Sequence, residues 1–347
     1  MNGSVKRVLQ LVVGLGLAAV LLIWGLPYFA KTSWADIWVE LQRVPLSYAV
    51  GFQALMLAGL WCYTFVLTGA LRGLTHIKAL VLNLCGSSVS NLLPAGGAVG
   101  LAATFAICRS WGFTRRATST TVIVTGVWNA LARIALPVIA LAILYFSGTP
   151  MPRALTDAAI AGTITGTVIL VVFVALIASA RAAQAIGRFF DLVLGPLLRR
   201  NRRTETMSVD ALVRDLRARI NDVVRSGWLS MTLGMIGYFG FYFLLFLLIM
   251  RTTGAELPLG PMFAAYAIGR LLTAVGVTPG GLGVTETATT VAMVSWGADA
   301  GAAGAGVILF SIFTHLMEVP LGGLGWVLWS LSPKTEPPPE GEELAVA

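Results

Sequence analysis

Charge is scarce in this chain. Asp, Glu, Lys and Arg make up 12% of its 347 residues, about half the roughly 25% typical of a soluble globular protein. So few charges cannot cover a water-facing surface. Histidine is nearly absent, with 2 residues, and no HExxH pattern or second histidine stands beside His315 to build a metal site. The 3 cysteines, Cys62, Cys85 and Cys108, lie in apolar stretches without CxxC spacing. They read as small buried hydrophobes rather than a disulfide framework. No GxSxG, Walker loop or solvated pair of aspartates appears. The expectation is a protein that is not an enzyme and needs no cofactor.

What is abundant is apolar. Hydrophobic residues make up 57% of the chain, and the mean hydropathy is +0.83. The excess of 24 Lys+Arg over 16 Asp+Glu gives a net charge of +8. A nucleic-acid partner would require those basic residues on one solvated face, but apolar blocks separate them. The fold class expected is therefore an all-α polytopic membrane protein.

Lys6 and Arg7 precede an apolar run, Val8 to Ala30, that is too long for a signal-peptide core and reads as an uncleaved first helix. Further full-length spans are Leu46–Ala70, Ala117–Ser147, Thr156–Ala180, Trp228–Met250 and Gly301–Leu331. Two other apolar regions are interrupted. Ala79–Cys108 contains Leu93-Pro94-Ala95-Gly96-Gly97, and Met262–Gly297 contains Thr278-Pro279-Gly280-Gly281-Leu282-Gly283. Proline and paired glycines stop a helix, so each region splits into two half-helices of roughly 14–18 residues, short for a crossing. Broken backbone at membrane depth is tolerated only where protein or a wet cavity surrounds it. The reading is about six full spans and two re-entrant hairpins.

The two breaks resemble each other. Placing Pro94 on Pro279 pairs Gly96 with Gly281, Val99 with Val284, Ala103 with Ala288 and Thr104 with Thr289. Ser110-Trp111-Gly112 then falls on Ser295-Trp296-Gly297 without a gap. This is an internal repeat. With the N-terminus inside and each hairpin returning to its own side, eighteen basic residues fall inside and four outside. Ten of the eighteen are arginines of the segment 181–227. The two halves, about 1–147 and 156–331, then run in opposite orientations, an inverted repeat with its site expected near the midplane. One membrane domain over 1–333 follows, in the cell membrane, with both termini cytoplasmic.

Segment 181–227 reads as two basic amphipathic helices suited to an anionic leaflet, the first through Ile186, Phe189, Phe190, Val193 and Leu197. The second runs through Val209, Leu212, Val213, Leu216, Ile220 and Val223. A plain cytoplasmic linker is the simpler alternative. The tail after Pro333 is polar, Pro-rich and expected to be disordered.

Few ionisable groups fall at depth. A charge at mid-span costs about 2.5–3.5 kcal/mol on insertion scales, which makes such groups functional candidates. They are Arg133, Arg270, Glu286, His315 and Glu318, with Asn83, Asn91 and Asn129 as polar neighbours. The competing reading is structural: ion pairs such as Arg270 with Glu286, or Arg133 with Glu318. Behind each break a half-helix starts with free amides and a positive dipole end, which attracts phosphate. Two such ends converging on a lipid phosphate make Pro94, Gly96, Gly97, Pro279, Gly280, Gly281, Gly283, Thr285 and Glu286 headgroup candidates beside Arg133, Arg270 and Glu318. Glu286 has the alternative of capping its own helix.

Leu93-Pro94-Ala95-Gly96-Gly97 followed by Arg109-Ser110-Trp111-Gly112, then Thr278-Pro279-Gly280-Gly281-Leu282-Gly283-Val284-Thr285-Glu286, resembles the lysylphosphatidylglycerol synthase transmembrane region family. The family includes the lipid-flipping membrane part of the multiple peptide resistance factor. Members often carry an acidic residue in the first motif, where this chain has Ala98, Val99 and Gly100. Bifunctional relatives append a soluble aminoacyltransferase domain, and with only a short stretch after Leu331 the expectation here is the membrane half without that reaction. The resemblance implies lipid binding or translocation between leaflets. The substrate expected is an anionic or aminoacylated phospholipid, or a polyprenyl-linked amphiphile. Membrane phospholipids are the expected partners, with no nucleic acid. The alternative is a non-transporting membrane partner, as a homo-oligomer or beside a cell-envelope enzyme that it anchors or regulates.

Overall fold

In the computed structural model the described residues are 33–42, 44–92, 96–149, 209–273, 278 and 281–335, with isolated positions within 23–28 and 157–171. Most of the expected first and fourth spans, all of segment 181–208, the tail beyond Thr335 and the residues Pro94, Pro279 and Gly280 lie outside them. Among the described residues the only extended pairing is a single bridge between Trp111 and Thr335; nearly all the rest is helix.

The helices are α1 (Trp34–Gln42), α2 (Leu46–Ala70), α3 (His76–Leu92), α4 (Gly96–Ser110), α5 (Arg115–Phe146), α6 (Val209–Thr252), α7 (Leu259–Leu272), α8 (Val284–Ser295), α9 (Ala300–Ser311) and α10 (Glu318–Leu331). A π turn, Ile312–Leu316, joins α9 to α10. Four helical stretches are long and apolar enough to cross a membrane: Leu46–Ala70, Arg115–Phe146, Ala218–Thr252 and Ala300–Leu331. Their outward faces carry exposed Val50, Leu233, Ile236 and Leu328, as expected of surfaces solvated by lipid.

Two sequence expectations are corrected. The second amphipathic stretch is not a separate interfacial helix, because Val209–Thr252 is one 44-residue helix running into the span. Gly227 lies where the amphipathic stretch meets the span, and there the backbone of Gly69 packs so closely that only glycine fits. The helix α8 has 12 residues, shorter than expected, because it ends at Ser295, just before Gly297 held at φ +96°. The short helix α1 was not anticipated. Its start was legible, since Ser33 and Asp36 cap one another.

α2 and α6 run antiparallel in close contact. A side chain at Gly59 would meet the Tyr242 ring at 2.6 Å, and Ser230 Oγ donates to the Phe65 carbonyl at 2.9 Å. Without a hydrophobic drive between helices in lipid, small residues that permit such approach supply the association. α3 and α4 form one helical hairpin and α7 and α8 another. In the first, Gly86 rests on Thr104; in the second, Gly269 rests on Thr289. Each hairpin docks on the long helix of the other half. Gly322 and Gly325 of α10 abut Ser88 and Cys85, and Gly260 of α7 abuts Leu144 of α5.

The repeat extends through the last helix. The shift that puts Pro94 on Pro279 carries Arg115–Phe146 end to end onto Ala300–Leu331. The N-caps coincide as well: Thr114 accepts from Ala117 N at 3.1 Å and Asp299 from Ala302 N at 2.8 Å. The antiparallel contacts send the open ends of the two hairpins to opposite ends of the molecule. At one end Trp111 Nε1 donates to Ser332 Oγ and Trp329 Nε1 to Ser110 Oγ, both at 2.9 Å. Arg72 and Asp222 pair there at 3.4 Å, and Lys78 lies 5.3 Å from the Trp111 ring centre. At the other end Gly301 packs on Asp36.

Candidate functional site

Between the hairpin tips lies a cavity of about 820 Å³, inside the roughly 300–1,000 Å³ range of ligand sites. Both halves line it. Asn83, Ser87, Ser90 and Asn91 come from α3, and Gly96, Gly97, Ala98 and Thr104 from α4. α5 contributes Thr125, Asn129 and Arg133, α7 contributes Arg270, the π turn contributes His315 and α10 contributes Glu318. Tyr238, Thr273, Thr278 and Gly281 line it too, beside apolar Leu60, Leu67, Leu82, Leu101 and Val122.

Arg133 is spent on protein contacts. Its Nε donates to Asn129 Oδ1 at 2.9 Å, one helical turn back. Its Nη1 donates to the Arg270 carbonyl at 3.1 Å and also to the Thr273 hydroxyl. The guanidinium thus covers the carbonyl end of α7, where the helix dipole favours a cation. Glu318 occupies the position of Arg133 in the other repeat, and it too reaches across. It accepts from Asn91 Nδ2 at 3.0 Å and from Tyr242 OH at 3.2 Å. Asn91 Nδ2 also donates to the His315 carbonyl at 3.5 Å, and the Nδ1 of His315 lies 3.1 Å from the Thr314 hydroxyl.

Arg270 is different. Only 6% exposed, it lies against three ring faces, with Cζ at 4.9 Å from the centre of Phe310, 5.6 Å from Tyr242 and 5.7 Å from Tyr266. Each such contact contributes about 0.5–2 kcal/mol, which holds the cation without neutralising it. Its guanidinium makes no hydrogen bond among the described residues, and no carboxylate of these residues lies within ion-pair distance. The pairs Arg270–Glu286 and Arg133–Glu318 are not formed.

Glu286, 1% exposed, is the cap of α8. It accepts from Gly283 N at 2.6 Å and from Thr285 Oγ1 at 2.9 Å, and Ser311 donates to its other oxygen. It does not line the large cavity, and neither do Thr285 and Gly283. Thr285 instead borders a small void of about 20 Å³ on the far side of Arg270. Of the sequence candidates among the described residues, Gly96, Gly97, Arg133, Arg270, Gly281 and Glu318 converge on the cavity. Two amide ends do not: the one behind the second break is closed by Glu286.

The aromatic setting of Arg270 was missed at sequence level, although a signal existed. Tyr238 and Tyr242, and likewise Tyr266 and Arg270, are four apart and share a helix face. Thr273 and Thr278 carried no signal beyond their place near a break.

The model of the lysylphosphatidylglycerol synthase TM region family matches residues 9–322. The chain belongs to this family. With its long apolar helices, that makes it an integral membrane protein. No curated protein matches the chain. The matched residues take in both hairpins and all three charged residues of the cavity.

Proposed function

We propose that this family member is a flippase-like transporter that moves a phosphate-bearing amphiphile between leaflets. The observation that carries the reading is Arg270, a buried cation with no carboxylate of the described residues within ion-pair distance, on the wall of a cavity of mixed polar and apolar lining between two hairpin tips. An unneutralised guanidinium at such depth is costly unless an anion visits it. Its aromatic bed lowers that cost between visits. Glu318 and the Asn91 amide offer acceptor and donor groups to the remainder of a headgroup.

The hairpins are re-entrant in this reading, the repeats are inverted about the midplane, and the two ends of the cavity open in turn. The end with Arg72, Lys78, Arg109, Arg115, Arg116 and Lys334 faces the cytoplasm, in keeping with the positive-inside bias. Residues 1–333 act as one domain of the cell membrane with both termini inside, without enzymatic activity.

The test is translocation of fluorescent phosphatidylglycerol in proteoliposomes. Arg270→Gln is expected to slow it at least about tenfold, the effect of losing one charge-assisted contact. Purified wild type that moves no phospholipid of any headgroup would sink the reading.

A further inference from the structure

The two breaks end differently. Behind the second, α8 begins with Glu286 as its third residue, whose carboxylate accepts from the Gly283 amide. Behind the first, α4 begins Gly96-Gly97-Ala98 with no acidic residue in its first turn. Its third residue is Ala98, and all three line the cavity. Among the described residues no oxygen accepts from these three amides. A helix start with free amides carries partial positive charge and binds anions.

A second, independent group points into the same space. Thr278, from the opposite break, lines the cavity and is 2% exposed, yet its hydroxyl has no partner among the described residues. Buried hydroxyls are normally paired. Together with Arg270 this makes three kinds of donor lining one cavity: backbone amides, a hydroxyl and a guanidinium.

We propose that the amide end of α4, the Thr278 hydroxyl and the Arg270 guanidinium form one binding site for a phosphate ester. The second break has no counterpart site because Glu286 fills it with the protein's own carboxylate. The site rests on the anion reading of the cavity given above, and adds where the anion sits and which half supplies it. Glu286 does for α8 what the ligand does for α4. Ala98 holds the third place in α4 that Glu286 holds in α8, although the repeat alignment sets Ala98 on Gly283, and a carboxylate introduced there competes with the ligand for the amides of that helix start. Ala98 is exposed to the cavity, so the exchange costs the fold little.

The experiment measures equilibrium binding to the full chain in detergent. The probes are dioleoylphosphatidylglycerol in mixed micelles, dioleoylglycerol as its phosphate-free control, and inorganic phosphate. Ala98→Glu is expected to bind phosphatidylglycerol about tenfold or more weakly than its neutral isostere Ala98→Gln. Gly97→Pro, which deletes one amide donor without adding charge, is expected to bind several-fold more weakly than Gly97→Ala. Inorganic phosphate that binds with the same Ala98 dependence identifies a site for the free anion as well as the lipid. Phosphate that fails to bind, while the lipid keeps that dependence, identifies a site for the lipid ester alone. If Ala98→Glu and Gly97→Pro bind like their controls while Arg270→Gln has lost binding, the amide site is overturned and the Arg270 reading survives. If wild type prefers phosphatidylglycerol no more than dioleoylglycerol, and binds no inorganic phosphate, both fall.

Discussion

The two hairpins share a scaffold and differ in how each is finished. In both, a glycine of the first arm rests on a threonine of the second, Gly86 on Thr104 and Gly269 on Thr289. Both dock through glycine on the long helix of the other half. Yet the α7–α8 hairpin is closed at its tip by Glu286, whereas the α3–α4 hairpin leaves its tip on the cavity. The charged residue at the shared position of the long helix is Arg133 in one half and Glu318 in the other. Duplication supplies a symmetric frame, and divergence at a few polar positions leaves one tip closed by a carboxylate and the other without one.

The largest effect expected from breaking this contrast is at the closed tip. Glu286→Ala leaves the Gly283 amide and the hydroxyls of Thr285 and Ser311 without their shared acceptor. At about 1–3 kcal/mol for a buried group left unpaired, this variant should lose most of its thermal stability in detergent. A melting temperature within a few degrees of wild type would show that the closed tip is not a structural necessity.

Next comes docking. A Cβ at Gly322 would meet the Leu84 carbonyl at 2.9 Å as well as Ser88, whereas at Gly260 its nearest contact is Leu144 Cδ2 at 3.3 Å. Gly322→Ala should cost about 1–3 kcal/mol by overpacking. Gly260→Ala should stay within about 0.5 kcal/mol, since a leucine methyl yields more readily than backbone. Equal losses in denaturant titrations would erase the distinction between the two docking faces.

Orientation gives a third prediction, read as presence or absence. Single cysteines at Arg109 and Trp296 should react with an impermeant maleimide from opposite sides of the membrane. Labelling from one side would end the inverted arrangement. The smallest effect belongs to the pair Arg72–Asp222, whose side chains are 70% and 67% exposed. Arg72→Ala should change stability by no more than about 0.5 kcal/mol.

Much of this architecture is legible in the sequence because its causes are local. Leu46–Ala70 reads as a span from composition alone, and the structure gives the same bounds. The breaks read from proline and glycine, and the capping role of Glu286 from its three-residue spacing to Gly283. The charged cavity reads less well. Asn91 and Glu318 are 227 positions apart, and no periodicity links them. Arg133 and Glu318 looked like candidates for mutual neutralisation, yet each turns to a polar group of the opposite hairpin instead.

What the amino-acid sequence determined unaided is the membrane class, the two breaks, the repeat and the gathering of basic residues toward one end. All of these follow from how single segments partition between water and lipid and from where a helix can continue. The fate of the buried charges was decided only by tertiary packing. Ring faces from α6, α7 and α9 surround Arg270 in place of a carboxylate, and Glu286 is turned onto its own helix start. Whether a buried ion is neutralised depends on which side chains the folded helices bring within about 4 Å, and no segment carries that information alone.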